Sequence, residues 1–350
     1  MTSPAGVNRS KLTLLVGTIN RLPLLKRCLE QVIEGLEPGY EVIVIDAGST
    51  DGTQTYVRSL GHPKITLRED GKRLGQALSF NRVLKTIQSD YVCWISDDNV
   101  LAPSALKTCV SILDQEPKIG MVGLKVKDVN GPWVNAPYIG GVWKSGVLNI
   151  NQGMVRFDLF RRIGFFDLEY GSYGIDADLT TKILLEGYQV CLTKEVAIFH
   201  HRMHEEHPGA FLPIERSRQK SRAQTLYRRK FWLMHCSTTQ YVRLLATDWT
   251  LALARHRYKW RKHWRYQLWR ERTLHFFEHT LGTQFCLRDA QNLILCRWVS
   301  PLDLWVNRSK PYYLVQDLGK MRWLLSMTSR RDRERPHLSS AQKANPLSTT

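Results

Sequence analysis

The N-terminal part of the chain alternates between short apolar runs and stretches with apolar side chains at helical spacing. Apolar runs bounded by polar or glycine-rich segments predict buried strands, whereas apolar positions three and four residues apart predict amphipathic helices. This alternation predicts an α/β fold with a mostly parallel central sheet and helices on both faces. The predicted strands are Lys11–Gly17, Glu41–Ile45, Lys64–Arg68 and Tyr91–Ile95, and the predicted helices are Leu22–Leu36, Thr53–Leu60 and Gly75–Gln88.

The pattern continues with longer connections after the fourth predicted strand. Ligands of such sheets bind beyond the C-terminal strand ends, so Asp46 and Asp97, which both follow a predicted strand, are candidate site residues. An acid-rich loop leads into a helix that begins near Asp176 and ends at Gly187. The other predicted elements are a helix at Pro103–Gln115 and strands at Lys118–Asp128, Gln189–Leu192 and Val196–Phe199.

Positive charge is concentrated in the C-terminal part of the chain. Residues 1–210 contain 23 Lys and Arg against 23 Asp and Glu, whereas residues 211–350 contain 27 against 9, which accounts for the net charge of +18. Eight of the eleven tryptophans also lie in this second part. We therefore expect an α/β domain over residues 1–210, a basic, tryptophan-rich and mainly α-helical region over residues 211–329, and a disordered polar tail over residues 330–350.

Several partners are compatible with the basic region. Helices with Trp and Leu on one side and Arg and Lys on the other suit an anionic membrane surface, and the run Arg255–Arg272 has this composition. A helical subdomain with a tryptophan core and a surface for another protein are the alternatives. Nucleic acid is disfavoured, because the charge comes without a recognition motif.

Cysteine usage and hydropathy bear on the compartment. The seven cysteines are an odd number, are widely spaced and form no CxxC pair, so neither a disulfide framework nor a zinc site is predicted. The apolar run near the N-terminus is too short for a signal peptide, and no segment reaches the ~18 apolar residues needed to span a bilayer. The sequence predicts a cytoplasmic protein, which lies at the cytoplasmic face of a membrane if the basic region binds lipid.

Two acidic motifs follow predicted strands. Ser96-Asp97-Asp98-Asn99 places adjacent carboxylates behind a buried run, an arrangement that suits Mg²⁺ or Mn²⁺ shared with substrate phosphates. The segment Asp46–Thr53 combines acids with small residues that let a nucleotide approach the backbone. Both motifs are also ordinary turn and helix-cap sequences, so neither alone decides between a binding site and a turn.

The order of these motifs along the chain is informative. LTLLVGTINR, VIVIDAGSTDGT, GQALSFNRVLK, YVCWISDDNVLAPSAL, IGFFDLEYGSYGIDADL and AIFHH follow one another between about Lys11 and His201. This series resembles the family 2 glycosyltransferases. The resemblance implies a GT-A fold, which is Rossmann-like, and an inverting, metal-dependent transfer of sugar from a nucleotide diphosphate sugar, most simply a UDP-sugar, with dTDP- and GDP-sugars as alternatives.

The resemblance also implies which residues bind the nucleotide sugar. The turn after the first strand lines the nucleotide pocket, and Asp46 contacts the base. Arg73 is the basic residue expected to hold the base, with Arg68 and Lys72 as rivals. The implied nucleotide-sugar residues are Thr18, Asn20, Arg21, Asp46, Gly48, Ser49, Arg73 and Asp97.

The metal site implied by the resemblance is the motif Ser96-Asp97-Asp98-Asn99. Asp98 is expected to bind Mn²⁺ or Mg²⁺ bridging the donor diphosphate, with Asp97 near the ribose or the metal. His200, at the end of a predicted strand, is the expected additional metal or phosphate contact. The sequence has Ser96 where many members have the first acid of an Asp-x-Asp-Asp motif.

The resemblance assigns the chemistry to the acidic loop. Asp176 is implied as the general base that deprotonates the acceptor hydroxyl, and Asp167 and Asp178 are implied on the acceptor side. The alternative for Asp178 is placement in a first helical turn, where negative charge is favourable. Ile175 stands where members carry Glu.

Three functions are therefore weighed. The first is a glycosyltransferase acting on a glycan or lipid-linked acceptor in polysaccharide, glycolipid or glycoconjugate synthesis. The second is a non-catalytic relative that binds sugar nucleotides as a scaffold or regulator. Ser96 and Ile175, which replace acids of the family motifs, would then be the changes that removed activity. The third, a nucleotidyltransferase, is disfavoured because no glycine-rich basic loop follows the first strand.

Overall fold

The structure is a computed structural model in which residues 9–130, 141–142, 148–202, 213–233 and 309–314 are described. The strands are β1 Ser10–Thr18, β2 Tyr40–Asp46, β3 Ile65–Glu69, β4 Ser89–Ser96, β5 Asn99–Leu101, β6 Ile119–Asn130, β7 Gly141–Val142, β8 Leu148–Asn149, β9 Gly153–Arg156, β10 Gln189–His201 and β11 Tyr312–Leu314. The α-helices are α1 Leu22–Glu34, α2 Thr53–Ser59, α3 Gln76–Leu84, α4 Ala105–Gln115, α5 Phe157–Arg162, α6 Ile175–Leu185 and α7 Pro213–Tyr227. A 3₁₀ turn covers Leu168–Tyr170, and a π-helical segment covers Arg228–Leu233.

A nine-stranded sheet organises the fold, with the order β11-β10-β6-β9-β4-β1-β2-β3 and with β5 added to β10. β1 lies parallel to β2 and β4, β2 parallel to β3, and β6 parallel to β10. β9 is antiparallel to both β4 and β6, so β6 and β10 run in the same direction as β1. The expected parallel sheet is confirmed in this part of the fold, and the antiparallel strands β5, β9 and β11 make the complete sheet mixed.

Helices cover both faces of the sheet because side chains of each strand alternate between them. In β1, Leu12, Leu14 and Val16 pack in one core together with α1, α2 and α4. Leu15 points to the opposite face and packs in a second core with α3, α5, α6 and α7. The sequence prediction of helices on both faces is confirmed.

Several parts of the sheet domain, β9 among them, differ from the sequence prediction. The two short strands expected between residues 189 and 199 are one strand, β10, whose pairing with β6 shifts register between Leu192 and Val196. The polar residues 193–195 that resemble a break are accommodated in this irregularity. The short strand β5 follows the acid pair directly, and the six-residue helix α5 is too brief to give a periodic signal.

The described parts of the basic region pack against the sheet domain. Ala223, Tyr227 and Phe231 are buried in the same core as α3 and α6, and β11 pairs antiparallel with residues 191–193 of β10. A strand at this position was not predicted, because its three residues carry no signal of their own. The run Arg255–Arg272 and the tail over residues 330–350 lie outside the described residues, and the domain division at residue 210 stays a prediction.

Among the helices that the structure describes, none combines the length and the hydropathy that crossing a bilayer requires.

Candidate active site

The sequence-predicted residues converge at one edge of the sheet. In the parallel register Thr18 lies beside Asp46, and Gly17 lies beside Ser96. β10 ends at the same edge with His200, which pairs with Asn99 of β5. Four separate parts of the sequence thus meet at the C-terminal ends of the strands, where ligands of such sheets bind.

A cavity of about 290 Å³ opens at this edge. Of the three basic candidates, Arg73 lines it and Arg68 and Lys72 do not. The sequence analysis did not name the lining residues of α3 or Ser172 and Tyr173 of the loop before α6, because these side chains are uncharged. The cavity is lined by Gly17, Thr18, Ile19, Arg21, Ile45, Ala47, Arg73, Gly75, Gln76, Ser79, Phe80, Ser96, Ser172 and Tyr173.

The acid pair beside the cavity is held by Arg21. Its guanidinium contacts Asp97 through Nη2 at 2.6 Å and Nε at 3.0 Å, and Nη1 donates to Asp98 Oδ2 at 3.0 Å. Thr18 Oγ1 donates to Asp97 Oδ2 at 2.7 Å. The repulsion between the two carboxylates is therefore offset by a protein cation, and the fork geometry of arginine fits this role.

The two carboxylates differ in their tendency to ionise. Burial raises the pKa of Asp97 to about 7, and although the Arg21 charge opposes this shift, the charge of Asp98 adds to it. Burial also disfavours ionised Asp98, but the hydrogen bond to His200 and the charge of Arg21 outweigh it and lower the pKa of Asp98. Asp98 is consequently the carboxylate that carries charge most readily.

His200 extends the acid pair toward β6. Its Nε2 lies 3.5 Å from Asp98 Oδ2, and its Nδ1 is 3.0 Å from Asp128 Oδ1. Asp128 is fully buried and also accepts from Arg202 Nε at 2.7 Å. Histidines that bind metals commonly donate the N–H of their other ring nitrogen to a carboxylate, and Asp128 is placed to accept in this way.

These residues fit a divalent cation that is shared with a ligand. Within the described residues, no group of three His, Cys, Asp or Glu side chains converges on one point, so Asp98 and His200 form no complete cation site by themselves and their metal role stays a prediction. Mg²⁺ and Mn²⁺ sites often complete their coordination with substrate phosphates and water. Burial lowers the pKa of His200, but the hydrogen bond and charge of Asp98 outweigh it and raise that pKa, so a proton competes with a cation at this nitrogen.

Asp46 is enclosed by its own loop. Its fully buried carboxylate accepts the backbone N–H of Ser49 at 3.0 Å and of Gly48 at 3.3 Å, and Gln54 Nε2 at 2.7 Å. Gly48 has a φ of +91°, and a Cβ there would lie 2.7 Å from the Gly71 carbonyl oxygen. Asp46 therefore shapes the loop beside the cavity, and its contact with a base stays a prediction.

Asn20 and Ser49 join the turns after β1 and β2. Asn20 adopts a φ of +51°, which asparagine tolerates better than most residues. Its backbone N–H donates to Ser49 Oγ at 2.8 Å, and its Oδ1 accepts the Thr50 N–H at 2.7 Å. Both side chains thereby fix the two loops against each other, which positions Arg21.

Asp176 is the second residue of α6 and follows the cavity-lining residues Ser172 and Tyr173. Gly174 allows the chain to enter the helix there, with a φ of +94°. Oδ1 of Asp176 is buried and has no hydrogen-bond partner among the described residues. Burial raises the pKa of Asp176 well above its ordinary value, and the backbone and the Trp94 indole offset only part of the effect.

The raised pKa of Asp176 gives a stability prediction. Below the ordinary Asp pKa of about 3.9 both folded and unfolded states are protonated, whereas above it the unfolded state loses its proton first and folding is penalised. Asp176→Asn removes this penalty, so the variant should melt at a higher temperature than the wild type near pH 7, and the difference should vanish toward pH 3.5. Thermal unfolding followed at several pH values measures it, and a difference independent of pH would contradict it.

Asp167 and Asp178 face lysines. Lys230 Nζ lies 2.5 Å from Asp167 Oδ2 and 2.5 Å from Asp178 Oδ1, and Lys182 Nζ lies 3.3 Å from Asp178 Oδ2. Asp178 is fully buried. In this arrangement both acids belong to an ion-pair network, and their acceptor-side role stays a prediction.

Asn81 of α3 holds the loop that precedes this network, a role that sequence reasoning did not find. Asn81 Nδ2 donates to the Phe166 carbonyl at 2.7 Å, and the Phe166 N–H donates to Asn81 Oδ1 at 3.1 Å. A buried asparagine on an apolar helix face was the available signal, since buried amides need partners.

Comparison with known proteins gives a consistent picture. The family model described as "Glycosyl transferase family 2" matches residues 13–165. The chain is 23% identical over 226 residues to the N-acetylglucosaminyl-diphospho-decaprenol L-rhamnosyltransferase of Mycobacterium tuberculosis, covering 52% of this chain and 73% of that protein. It is 25% identical over 122 residues to an uncharacterized protein of the same organism, covering 34% of this chain and only 38% of the relative's length.

A solved structure supports the fold. The crystal structure of S. aureus TarS 1–349 in complex with UDP-GlcNAc superposes with a TM-score of 0.55 at 16% identity, covering 93% of each chain. With the converging strand ends and the match over residues 13–165, this likeness confirms the resemblance seen in the sequence. The match identifies a glycosyl transferase family 2 domain over residues 13–165 of this chain, and the sheet domain has a GT-A fold.

Proposed function

We propose that the protein transfers a sugar, with inversion, from a nucleotide diphosphate sugar to a hydroxyl group of an acceptor in polysaccharide, glycolipid or other glycoconjugate synthesis. One observation carries the proposal. A cavity at the strand ends has a paired carboxylate motif beside Arg21 on one side and, on the other, a loop that leads into the half-buried residue Asp176, whose Oδ1 is buried.

A UDP-sugar is the proposed donor. TarS was crystallised with UDP-GlcNAc, and its structure matches the fold of this chain with a TM-score of 0.55. Arg21 and Arg73 line the cavity and carry guanidinium N–H groups that can donate to phosphate or ribose oxygens, and Thr18 beside them can accept a hydrogen bond. GDP- and dTDP-sugars are the alternatives to test.

Asp176 is the proposed general base. Its carboxylate takes the proton of the acceptor hydroxyl while that oxygen bonds to the anomeric carbon and the bond from this carbon to the diphosphate oxygen breaks. A base works best when its pKa lies close to the working pH, and burial moves the pKa of Asp176 in that direction. The positive end of α6 favours the ionised form in which Asp176 must begin each turnover.

Asp98 and His200 are the residues that would hold Mn²⁺ or Mg²⁺, with Asp128 orienting His200. Such a cation supplies positive charge to the departing diphosphate. Arg21 contacts both carboxylates, so a cation bound by Asp98 would share this carboxylate with Arg21 Nη1.

The acceptor is proposed to be a glycan or a lipid-linked sugar. The rhamnosyltransferase that this chain resembles is named for a sugar carried on diphospho-decaprenol. A lipid-linked acceptor lies in a membrane, so binding of the basic, tryptophan-rich region to the membrane surface would bring the enzyme close to this acceptor.

A panel of UDP-, GDP- and dTDP-sugars tests this function. With Mn²⁺ or Mg²⁺ present, one donor should raise the melting temperature and be hydrolysed slowly without acceptor, because ligands that bind only the folded state stabilise it. No metal-dependent shift with any donor would overturn the proposal. Binding without turnover, unchanged by Asp176→Asn, would instead favour the non-catalytic relative.

A further inference from the structure

An ion-pair network joins the C-terminal segment to the loop before α6. Lys230, in the π-helical segment Arg228–Leu233, places Nζ 2.5 Å from both Asp167 and Asp178. Its ammonium also lies 5.9 Å from the centroid of the Tyr170 ring. Short π-helical segments recur at functional sites, and this one carries its charged residue into the sheet domain.

Asp178 depends on this network. Its carboxylate is fully buried, and an ionised group there is tolerated only when it is paired. Lys182, one turn further along α6, is its second partner at 3.3 Å and also donates to the Phe165 carbonyl. Lys182 belongs to α6 itself, so among the described residues Lys230 is the cation that links this carboxylate to the segment that follows α7.

Lys230 fixes one end of the segment Asp167–Gly174. Asp167 uses Oδ2 for Lys230, and its Oδ1 accepts the Glu169 N–H at 2.9 Å, which begins the Leu168–Tyr170 turn. The other end of the segment is held by α3. The Ala77 N–H donates to the Gly171 carbonyl at 2.9 Å, and the Gln76 N–H donates to Ser172 Oγ at 3.3 Å.

The segment that is held in this way forms part of the site. Ser172 and Tyr173 line the cavity, and Asp176 follows them at the start of α6. Asp178, two residues beyond Asp176, is the other acid that Lys230 contacts. A displacement of the loop or of the first turn of α6 would therefore move both the cavity wall and the proposed base.

We propose that Lys230 is a positioning residue, which clamps Asp167 and Asp178 and so sets the place of Asp176 and of the Ser172–Tyr173 wall. The C-terminal segment is then a working part of the catalytic apparatus. The inference rests on the proposed function of Asp176 as the base.

The test compares Lys230→Met with Lys230→Arg and with Arg229→Gln in the full chain. Arg229 is exposed on the same turn, so its replacement controls for lost charge. Lys230→Met should lower kcat by about ten- to a hundredfold, the usual effect of a small misplacement, with the donor KM changed less than about threefold. Lys230→Arg should recover most of the activity, and Arg229→Gln should match the wild type.

A second measurement does not require activity. Hydrogen exchange of the amides over residues 167–176 should become faster in Lys230→Met while exchange in α1 is unchanged. If Lys230→Met folds poorly, the double variant Asp178→Asn/Lys230→Met removes the unpaired carboxylate and should show the same low kcat and the same fast exchange.

Two results would overturn the inference. Lys230 has no positioning role if Lys230→Met keeps the wild-type kcat. The same conclusion follows if kcat and donor binding both fall only in proportion to the amount of folded protein that is lost. If the wild type transfers no sugar, the proposed function fails, whereas unchanged exchange over residues 167–176 shows separately that the clamp fails.

Discussion

Asp176→Asn is expected to lower kcat by about a hundredfold to ten-thousandfold, the range that general base catalysis contributes. The amide has the shape of the carboxylate but cannot take the acceptor proton. Donor binding should change little, because Asp176 is not among the residues that line the cavity. Initial rates of sugar transfer and calorimetric titration with the donor measure the two effects separately.

Asp158→Asn is the matched control for this substitution. Asp158 is also the second residue of a helix, α5, but its side chain is exposed and pairs with Arg161 at 3.1 Å. Its replacement should leave kcat unchanged. The assignment of Asp176 as the base is wrong if Asp176→Asn keeps more than about a tenth of the wild-type kcat, since a missing general base costs at least a hundredfold.

Asp98→Asn is expected to abolish the metal dependence of the reaction. Asp98 is the carboxylate with the lowered pKa and it faces His200, so its replacement removes one of the two proposed protein ligands. Loss of a direct ligand should weaken Mn²⁺ binding by more than the ~10–100-fold that loss of an outer partner costs. Electron paramagnetic resonance of free Mn²⁺ during titration measures the affinity, and turnover should fall with it.

Two further variants test whether the loss of Mn²⁺ affinity depends on the distance of the changed residue from the proposed metal site. Asp128→Asn leaves His200 in place but loosens its orientation, so Mn²⁺ affinity should fall by about ten- to a hundredfold. Asp90→Asn changes an acid at the opposite end of the same strand, β4, and should leave Mn²⁺ affinity unchanged. Full activity in the presence of a chelator, or wild-type Mn²⁺ affinity in Asp98→Asn, would overturn the metal assignment.

Local patterns made the sheet domain predictable. The strands β1, β2 and β4 are continuous apolar runs, and helices α1, α3 and α4 have clear apolar faces, so each element could be recognised from its own residues. The antiparallel strands β9 and β11 were missed. Their few residues become strands only through pairing with β4, β6 and β10, which is a property of the tertiary fold.

The sequence motifs predicted which residues belong to the candidate site, but they did not predict which of these residues contact each other. Strand ends identified Asp46, Asp97 and His200, because the fold class places such ends together. The contact between Arg21 and Asp97 joins residues 76 positions apart in the sequence. Hydrophobic periodicity carries no information about such a long-range contact, so the position of Arg21 between Asp97 and Asp98 could not be predicted. The contributions of Asp128 and Lys230 depend in the same way on which strands and helices become neighbours.

The Arg21 guanidinium between the two carboxylates has a consequence for how the protein is assembled. A pocket that needed an ion to neutralise paired acids would tie folding to the supply of that ion. Here the counter-charge is encoded in the chain, so the newly made polypeptide can reach its native state in metal-poor surroundings. If the proposed Mn²⁺ or Mg²⁺ binds together with the donor, its concentration would then affect turnover and would not affect the amount of folded protein.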